Sequence, residues 1–165
     1  MSMTTKIGAF FGPSRQYAVA GASNSPHKFG FKIFDWYLSR DLNAIPVNPR
    51  EKEIIGQPVV HNIETILNTL KDKKDLDSYH LSTKDGLSIS FLTPPEITLA
   101  TLGEIASVEG YKDLIKGLWF QPGSYSEGVI QKASDLGLLN KTVYQDECIL
   151  IRGDEGLLLS VSPNL

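Results

Sequence analysis

The sequence is poor in cysteine, in excess positive charge and in long apolar runs. Its 165 residues include one cysteine, Cys148, so an internal disulfide is impossible and a reducing compartment fits this composition. Lysine and arginine total 16 against 19 aspartates and glutamates, a formal net charge of -3. This balance argues against a general nucleic-acid-binding protein, whose surface is usually basic. No apolar run approaches the roughly 18 residues of a membrane helix, so we expect no membrane partner.

The remaining composition is that of a globular domain. Hydrophobic residues make up 41% and charged residues 21% of the chain, as in ordinary soluble proteins. The length predicts a single domain, residues 1–165. The N-terminal segment contains Lys6 and Arg15 and no acidic residue up to position 16, so a mitochondrial address stays open beside the expected cytoplasmic location.

The dinucleotide fingerprint G-x-G-x-x-G is absent from the point where an α/β nucleotide-binding protein would carry it. A buried-strand pattern, Ala18-Val19-Ala20, is followed by Gly21, and the next glycine is Gly30. Between them the chain has a small polar turn and Lys28, and a helical pattern follows. A strand, a small-residue turn and a helix start direct free backbone N–H groups at an anion, which predicts a phosphate-binding loop.

An ordinary strand-to-helix loop is the alternative interpretation of the same residues. Ser25 would then be the N-cap and Pro26 the first helical residue, in keeping with the preferences of those positions. Both interpretations predict a helix over about 26–40.

The rest of the chain alternates predicted strands and helices, which indicates right-handed crossovers and a parallel sheet with helices on both faces. In such sheets ligands bind beyond the carboxyl ends of the strands. The predicted elements are a short helix at 6–12, strands at 43–49, 87–92, 117–121 and 142–144, helices beginning at Asn62 and at the capping boxes Thr93–Glu96 and Ser124–Glu127, an exposed loop at 71–86, and a C-terminal hairpin around 152–156.

The residues after the second predicted strand favour a phosphorylated ribose. An NAD-binding sheet has an acidic residue there to accept from the ribose 2′-hydroxyl, whereas this chain has Asn48-Pro49-Arg50. An arginine attracts phosphate, which favours coenzyme A, with its 3′-phosphate, or NADP. The missing glycine fingerprint argues against NADP.

Four motifs in order then resemble a known family. They are GAS-x-x-P-x-K-F-G after the first strand, PVNP after the second, TPPE after the third and LWFQPG at the end of the fourth. Together they resemble the small CoA-binding proteins, which are similar to the CoA-binding domain of the succinyl-CoA synthetase alpha subunit. The resemblance covers 17–149 and leaves 150–165 as a C-terminal extension. It implies a Rossmann-like, doubly wound parallel sheet of strand order 3-2-1-4-5, and coenzyme A or an acyl-CoA as ligand.

The resemblance also implies a set of ligand-binding residues. The loop beside the diphosphate is Gly21, Ala22, Ser23 and Asn24, and the motif lysine is Lys28. The segment that faces the nucleotide is Asn48, Pro49 and Arg50. Thr93 and Pro94 form the wall of the adenosine, and Gln121, Pro122 and Gly123 border the pantetheine path.

No catalytic or metal-binding residues are predicted. A synthetase alpha subunit carries its phosphorylated histidine in a second domain, which we do not expect in this chain. The histidines His27, His61 and His80 have neither a paired carboxylate nor metal-ligand spacing. We therefore predict a non-catalytic carrier, sensor or accessory module for CoA. An NADP-dependent oxidoreductase and a scaffold that acts through a homodimer or partner enzyme remain as alternatives.

Cys148 allows two interpretations, since it follows the last predicted strand. It is either a small buried hydrophobic residue beside Ile149 or a thiol close to the end of the pantetheine path.

Overall fold

A computed structural model describes residues 1–81 and 85–161 of the chain. Along these residues the elements are α1 (Met3–Phe10), β1 (Arg15–Ala20), α2 (Phe29–Ser39), β2 (Ala44–Val47), β3 (Glu53–Ile54), β4 (Gln57–Pro58), α3 (Ile63–Lys71), β5 (Gly86–Phe91), α4 (Pro95–Ala106), α5 (Tyr111–Leu114), β6 (Ile115–Phe120), α6 (Glu127–Asp135), a 3₁₀ turn (Leu139–Lys141), β7 (Thr142–Val143) and α7 (Ile149–Val161). None of the described helices is long and apolar enough to cross a membrane.

The main sheet has five parallel strands in the order β2-β1-β5-β6-β7. The predicted order 3-2-1-4-5 is therefore wrong, because the third long strand, β5, pairs with β1 and does not lie outside β2. After β2 the chain forms the short β3–β4 hairpin and touches the outer edge of β2 through a single bridge, Val47 to Val60. The chain then passes through α3 to the other side of β1. Pro46 lies in the edge strand β2, as its missing N–H requires.

The two faces of the sheet are covered by different helices, which confirms the predicted α/β layers. Alternate residues of β1 point to opposite faces. Ala18 and Ala20 join a core formed with α3, α4 and α6, whereas Tyr17 and Val19 join a core formed with α1, α2 and α7. The second core contains Trp36 and Trp119, each at most 5% exposed.

The C-terminal segment is a helix, and the predicted hairpin at 152–156 is wrong. Gly153 and Gly156, which resemble turn residues in the sequence, lie on the inward face of α7. A Cβ at Gly153 would lie 2.3 Å from Cζ2 of Trp36, and one at Gly156 would lie 2.6 Å from Cε2 of Phe11. The glycines thus permit α7 to pack closely against α1 and α2.

Except at α3, the predicted helix starts differ from the observed ones by one to three residues. Asn62 caps α3 as predicted, since its side chain accepts from the backbone N–H of Thr65. The capping boxes at Thr93 and Ser124 are wrong, because Pro94 and Ser126 are the N-caps of α4 and α6.

The polar segment 71–86 is only partly covered, since residues 82–84 lie outside the described residues. In its described part, Leu76 and Tyr79 form an isolated antiparallel bridge.

Candidate functional site

A cleft of 490 Å³ opens where β1, β2, β5 and β6 end. In the strand order found here, β2 lies on one side of β1 and β5 on the other, so the switch point of the sheet lies between β1 and β5. The cleft is lined by Gly21, Ala22, Ser23, His27, Lys28, Phe29, Gly30, Asn48, Leu92, Thr93, Pro94, Pro122 and Gly123. The cleft therefore brings together residues from the chain segments that follow β1, β2, β5 and β6.

Two glycines determine how closely the backbone approaches the floor of the cleft. Gly21 has φ +95°, and a Cβ there would lie 3.1 Å from the carbonyl carbon of Leu92. Gly30 lies in the first turn of α2, and its Cβ would lie 2.2 Å from the oxygen of Gly21. This close helix-to-strand approach is the role of the third glycine in a dinucleotide fingerprint, which the longer loop achieves with different spacing.

The start of α2 differs from the ordinary loop interpretation. α2 begins at Phe29, and its N-cap residue Lys28 makes no side-chain capping bond. Ser25 therefore is not the N-cap and Pro26 is not the first helical residue. The hydroxyl of Ser23 instead accepts from the N–H of Ser25 at 3.0 Å and holds the loop. Residues 28–30 line the cleft, so the positive end of the α2 dipole lies at its wall.

Asn48 joins the two loops on one side of the cleft. Its Nδ2 donates to the oxygen of Ala22 at 3.0 Å, and its Oδ1 accepts from the N–H groups of Arg50 and Glu51 at 2.9 and 3.1 Å. Both polar atoms of the amide are therefore used within the protein. Asn48 lines the cleft mainly as a residue that positions the loops.

Four of the residues implied by the resemblance do not line the cleft. Asn24 donates to the oxygen of Glu53 at 2.7 Å and accepts from the N–H of Ile55, so it holds the β3–β4 hairpin against the loop. Pro49 and Arg50 are exposed beside the cleft. Gln121 is 1% exposed and lies beneath it.

The basic groups at the cleft are available to a ligand. Lys28 lines the cleft and Arg50 lies beside it, and both side chains are exposed. Within the described ranges 1–81 and 85–161, neither forms an ion pair with a carboxylate. An anion entering the cleft would therefore not compete with an acidic side chain for them.

Sequence reasoning missed Phe29, which is 58% exposed at the mouth of the cleft. The residue occurs in the quoted motif, but a phenylalanine at the start of an apolar helix is usually assigned to the core. Its ring lies 5.4 Å from Nζ of Lys32, on the surface of α2. An aromatic residue directly after Lys28 was the available signal.

The sequence pattern of one family, described as the CoA binding domain, matches residues 15–154. The chain belongs to the CoA binding domain family. This confirms the resemblance suggested by the four motifs. The match spans the cleft and reaches Asp154 in the first half of α7. Family membership supports CoA binding in general. Among curated proteins, none matches the chain significantly.

Solved structures similar to this CoA-binding-domain chain share its fold. A conserved hypothetical protein from Pyrococcus furiosus is 28% identical over 84% of this chain and 98% of its own, with a TM-score of 0.62. A hypothetical protein from Pyrococcus horikoshii is 21% identical over 96% of this chain and 93% of its own. A protein from Thermus thermophilus is 18% identical over 94% of this chain and 99% of its own. Both have a TM-score of 0.68.

Proposed function

We propose that this protein binds coenzyme A or an acyl-CoA in the cleft and acts as a non-catalytic carrier, sensor or accessory module. The observation that carries the proposal is the approach of Gly30 to the oxygen of Gly21 at the switch point of the sheet. It gives the cleft a floor of backbone atoms beside the N-terminus of a helix, a combination that favours phosphate binding.

The residues of the cleft fit the ligand in size and charge. The volume of the cleft, 490 Å³, is within the roughly 300–1,000 Å³ range of small-molecule sites. Lys28 stands at one side, and Arg50 lies near the loop that follows β2. Charge and position therefore allow both a diphosphate and a separate phosphate on the ribose.

Each part of the ligand has its own group of residues in this proposal. Gly21, Ala22 and Ser23 receive the diphosphate with Lys28, and Arg50 attracts the 3′-phosphate. Asn24, Asn48 and Pro49 position the two loops. The adenosine wall and the pantetheine border are Thr93, Pro94, Pro122 and Gly123, with Gln121 beneath them.

A thermal-shift panel separates CoA from the oxidoreductase alternative. At a ligand concentration about 100 times the dissociation constant, binding adds roughly 2.7 kcal/mol to the free energy of unfolding. CoA should therefore raise the Tm clearly, and NADPH should not. A response to NADPH without a response to CoA would contradict the proposal.

Two substitutions test the assigned charges. Lys28→Ala and Arg50→Ala should each weaken CoA binding by about 1.5–3 kcal/mol, the scale of hydrogen bonds to charged groups. Lys74→Ala, at an exposed position in the distant polar segment, is the control and should leave affinity unchanged. Dephospho-CoA should bind wild type more weakly than CoA does, with little difference between the two ligands in Arg50→Ala. An undiminished difference in that variant would move the 3′-phosphate away from Arg50.

A further inference from the structure

A small cavity of 40 Å³ adjoins the inner side of the cleft. Phe29, Leu92 and Pro122 line both spaces, so the cavity and the cleft are neighbours on either side of these three residues. Its remaining walls are Ile33, Gln121 and Cys148. The cavity exceeds the roughly 30 Å³ that one water occupies in the liquid, and it is far too small for a nucleotide or a long acyl chain.

Gln121 lines this cavity and carries an unused hydrogen-bond donor. The side chain is 1% exposed, and its Oε1 accepts from the N–H of Ile149 at 3.1 Å, at the start of α7. That bond fixes the orientation of the amide, because the N–H of Ile149 requires an acceptor. Within 1–81 and 85–161, Nε2 of Gln121 has no hydrogen-bond partner. A buried donor without a partner is costly, so the position favours a ligand that supplies an acceptor.

The other walls determine what kind of acceptor fits. Apart from Gln121, the lining side chains are hydrocarbon or sulfur, and none of them is a cation. A carboxylate entering the cavity would lose its hydration without gaining a counter-charge. A neutral carbonyl carrying a methyl or ethyl group would satisfy Nε2 and place its carbon atoms against Ile33 and Cys148.

We infer that this cavity is a subsite for the acyl end of a short, neutral acyl-CoA. Nε2 of Gln121 donates to the thioester oxygen, Cys148 and Ile33 enclose the alkyl group, and Phe29 stands between cavity and cleft. The inference rests on the proposed function, because the pantetheine arm must lead from the cleft to Phe29 and Pro122. It makes Cys148 a wall of the subsite, in place of a simple core residue.

Calorimetric titrations test this inference with ligands that share the nucleotide and differ at the acyl end. The ligands are CoA, acetyl-CoA, malonyl-CoA, dodecanoyl-CoA and 3′-phosphoadenosine 5′-diphosphate, which has no pantetheine arm. Acetyl-CoA should bind about fivefold more tightly than CoA, the effect of one neutral hydrogen bond. Malonyl-CoA and dodecanoyl-CoA should show no such gain, because one is charged and the other too long.

Two variants act on the subsite from different walls. Gln121→Glu keeps an acceptor for Ile149 and removes the amide donor, so the preference for acetyl-CoA over CoA should disappear. Cys148→Leu fills the cavity, so it should weaken the binding of acetyl-CoA and leave the binding of the arm-less nucleotide unchanged. Leu150→Phe adds bulk at an exposed position outside the lining and serves as the control.

The outcomes separate this inference from the proposed function. Equal binding of CoA and acetyl-CoA by wild type, unchanged in Gln121→Glu, would overturn the subsite and leave CoA binding intact. A failure of CoA, acetyl-CoA and the arm-less nucleotide alike to bind would instead overturn the proposed function. Should Cys148→Leu fail to fold, the ratio measured in Gln121→Glu still decides.

Discussion

Gly30 is the residue at which the cleft tolerates least change. It is buried in the first turn of α2, and the atom nearest to an added Cβ would be the backbone oxygen of Gly21. A backbone atom cannot turn aside as a flexible side chain can, so any larger residue must displace the helix or the loop. The geometry of the cleft therefore depends on the absence of a side chain at this position.

Gly30→Ala should lower the free energy of unfolding by about 1–3 kcal/mol, the usual cost of overpacking. It should also abolish the rise in Tm on addition of CoA, because the start of α2 moves away from the loop. Gly103→Ala is the control, since Gly103 lies in α4 with no atom within 4 Å of its Cβ position. Helix propensity predicts that this control gains up to about 1 kcal/mol. Urea unfolding and thermal shift measure both variants; wild-type values for Gly30→Ala would contradict the assignment.

Helix α7 shows why a local sequence pattern predicted the wrong secondary structure at 152–156. Its central residues, Arg152-Gly153-Asp154-Glu155-Gly156, have the composition of a turn between two apolar runs. The structure makes them the middle of a helix, because the glycines face α1 and α2. Asp154 also forms an ion pair at 2.5 Å with Arg40, the residue directly after α2, and this arginine holds the pKa of the Asp154 carboxyl below its usual value. Tertiary packing outweighed the local turn signal.

Gly153→Ala tests the docking of α7. An added methyl group would meet the ring of Trp36 at 2.3 Å, so we expect a loss of about 1–3 kcal/mol in the free energy of unfolding despite the better helix propensity of alanine. Gly128→Ala in α6, where the nearest atom lies at 3.7 Å, is the matched helical control and should not destabilise. Chemical denaturation measures both. A stabilised Gly153→Ala would mean that α7 does not pack against Trp36 as described.

For the whole molecule, the sequence predicted the layers and the edge that carries the cleft, but it did not predict the order of the strands. Periodicity identified the long strands, since each is an apolar run bounded by turn residues. Strand order depends on where a connection crosses the sheet, and nothing in the segment after β2 showed that it makes one bridge at Val60 and then leaves. The sequence also did not show which motif side chains are used within the protein. Asn24 and Gln121 belong to the motifs, yet their side chains form hydrogen bonds to the β3–β4 hairpin and to α7.

Binding of CoA at the switch point between β1 and β5 is tested most directly by a nitrogen–proton correlation NMR titration with CoA. Binding at this point predicts that amide shifts change together at 21–30, 48–50, 92–94 and 121–123, while amides near the groove between α1 and α7, such as those of Thr5, Gly8 and Leu159, stay in place. NADPH should produce no such pattern. Shifts confined to the α1–α7 groove, or none at all at saturating CoA, would contradict the claim.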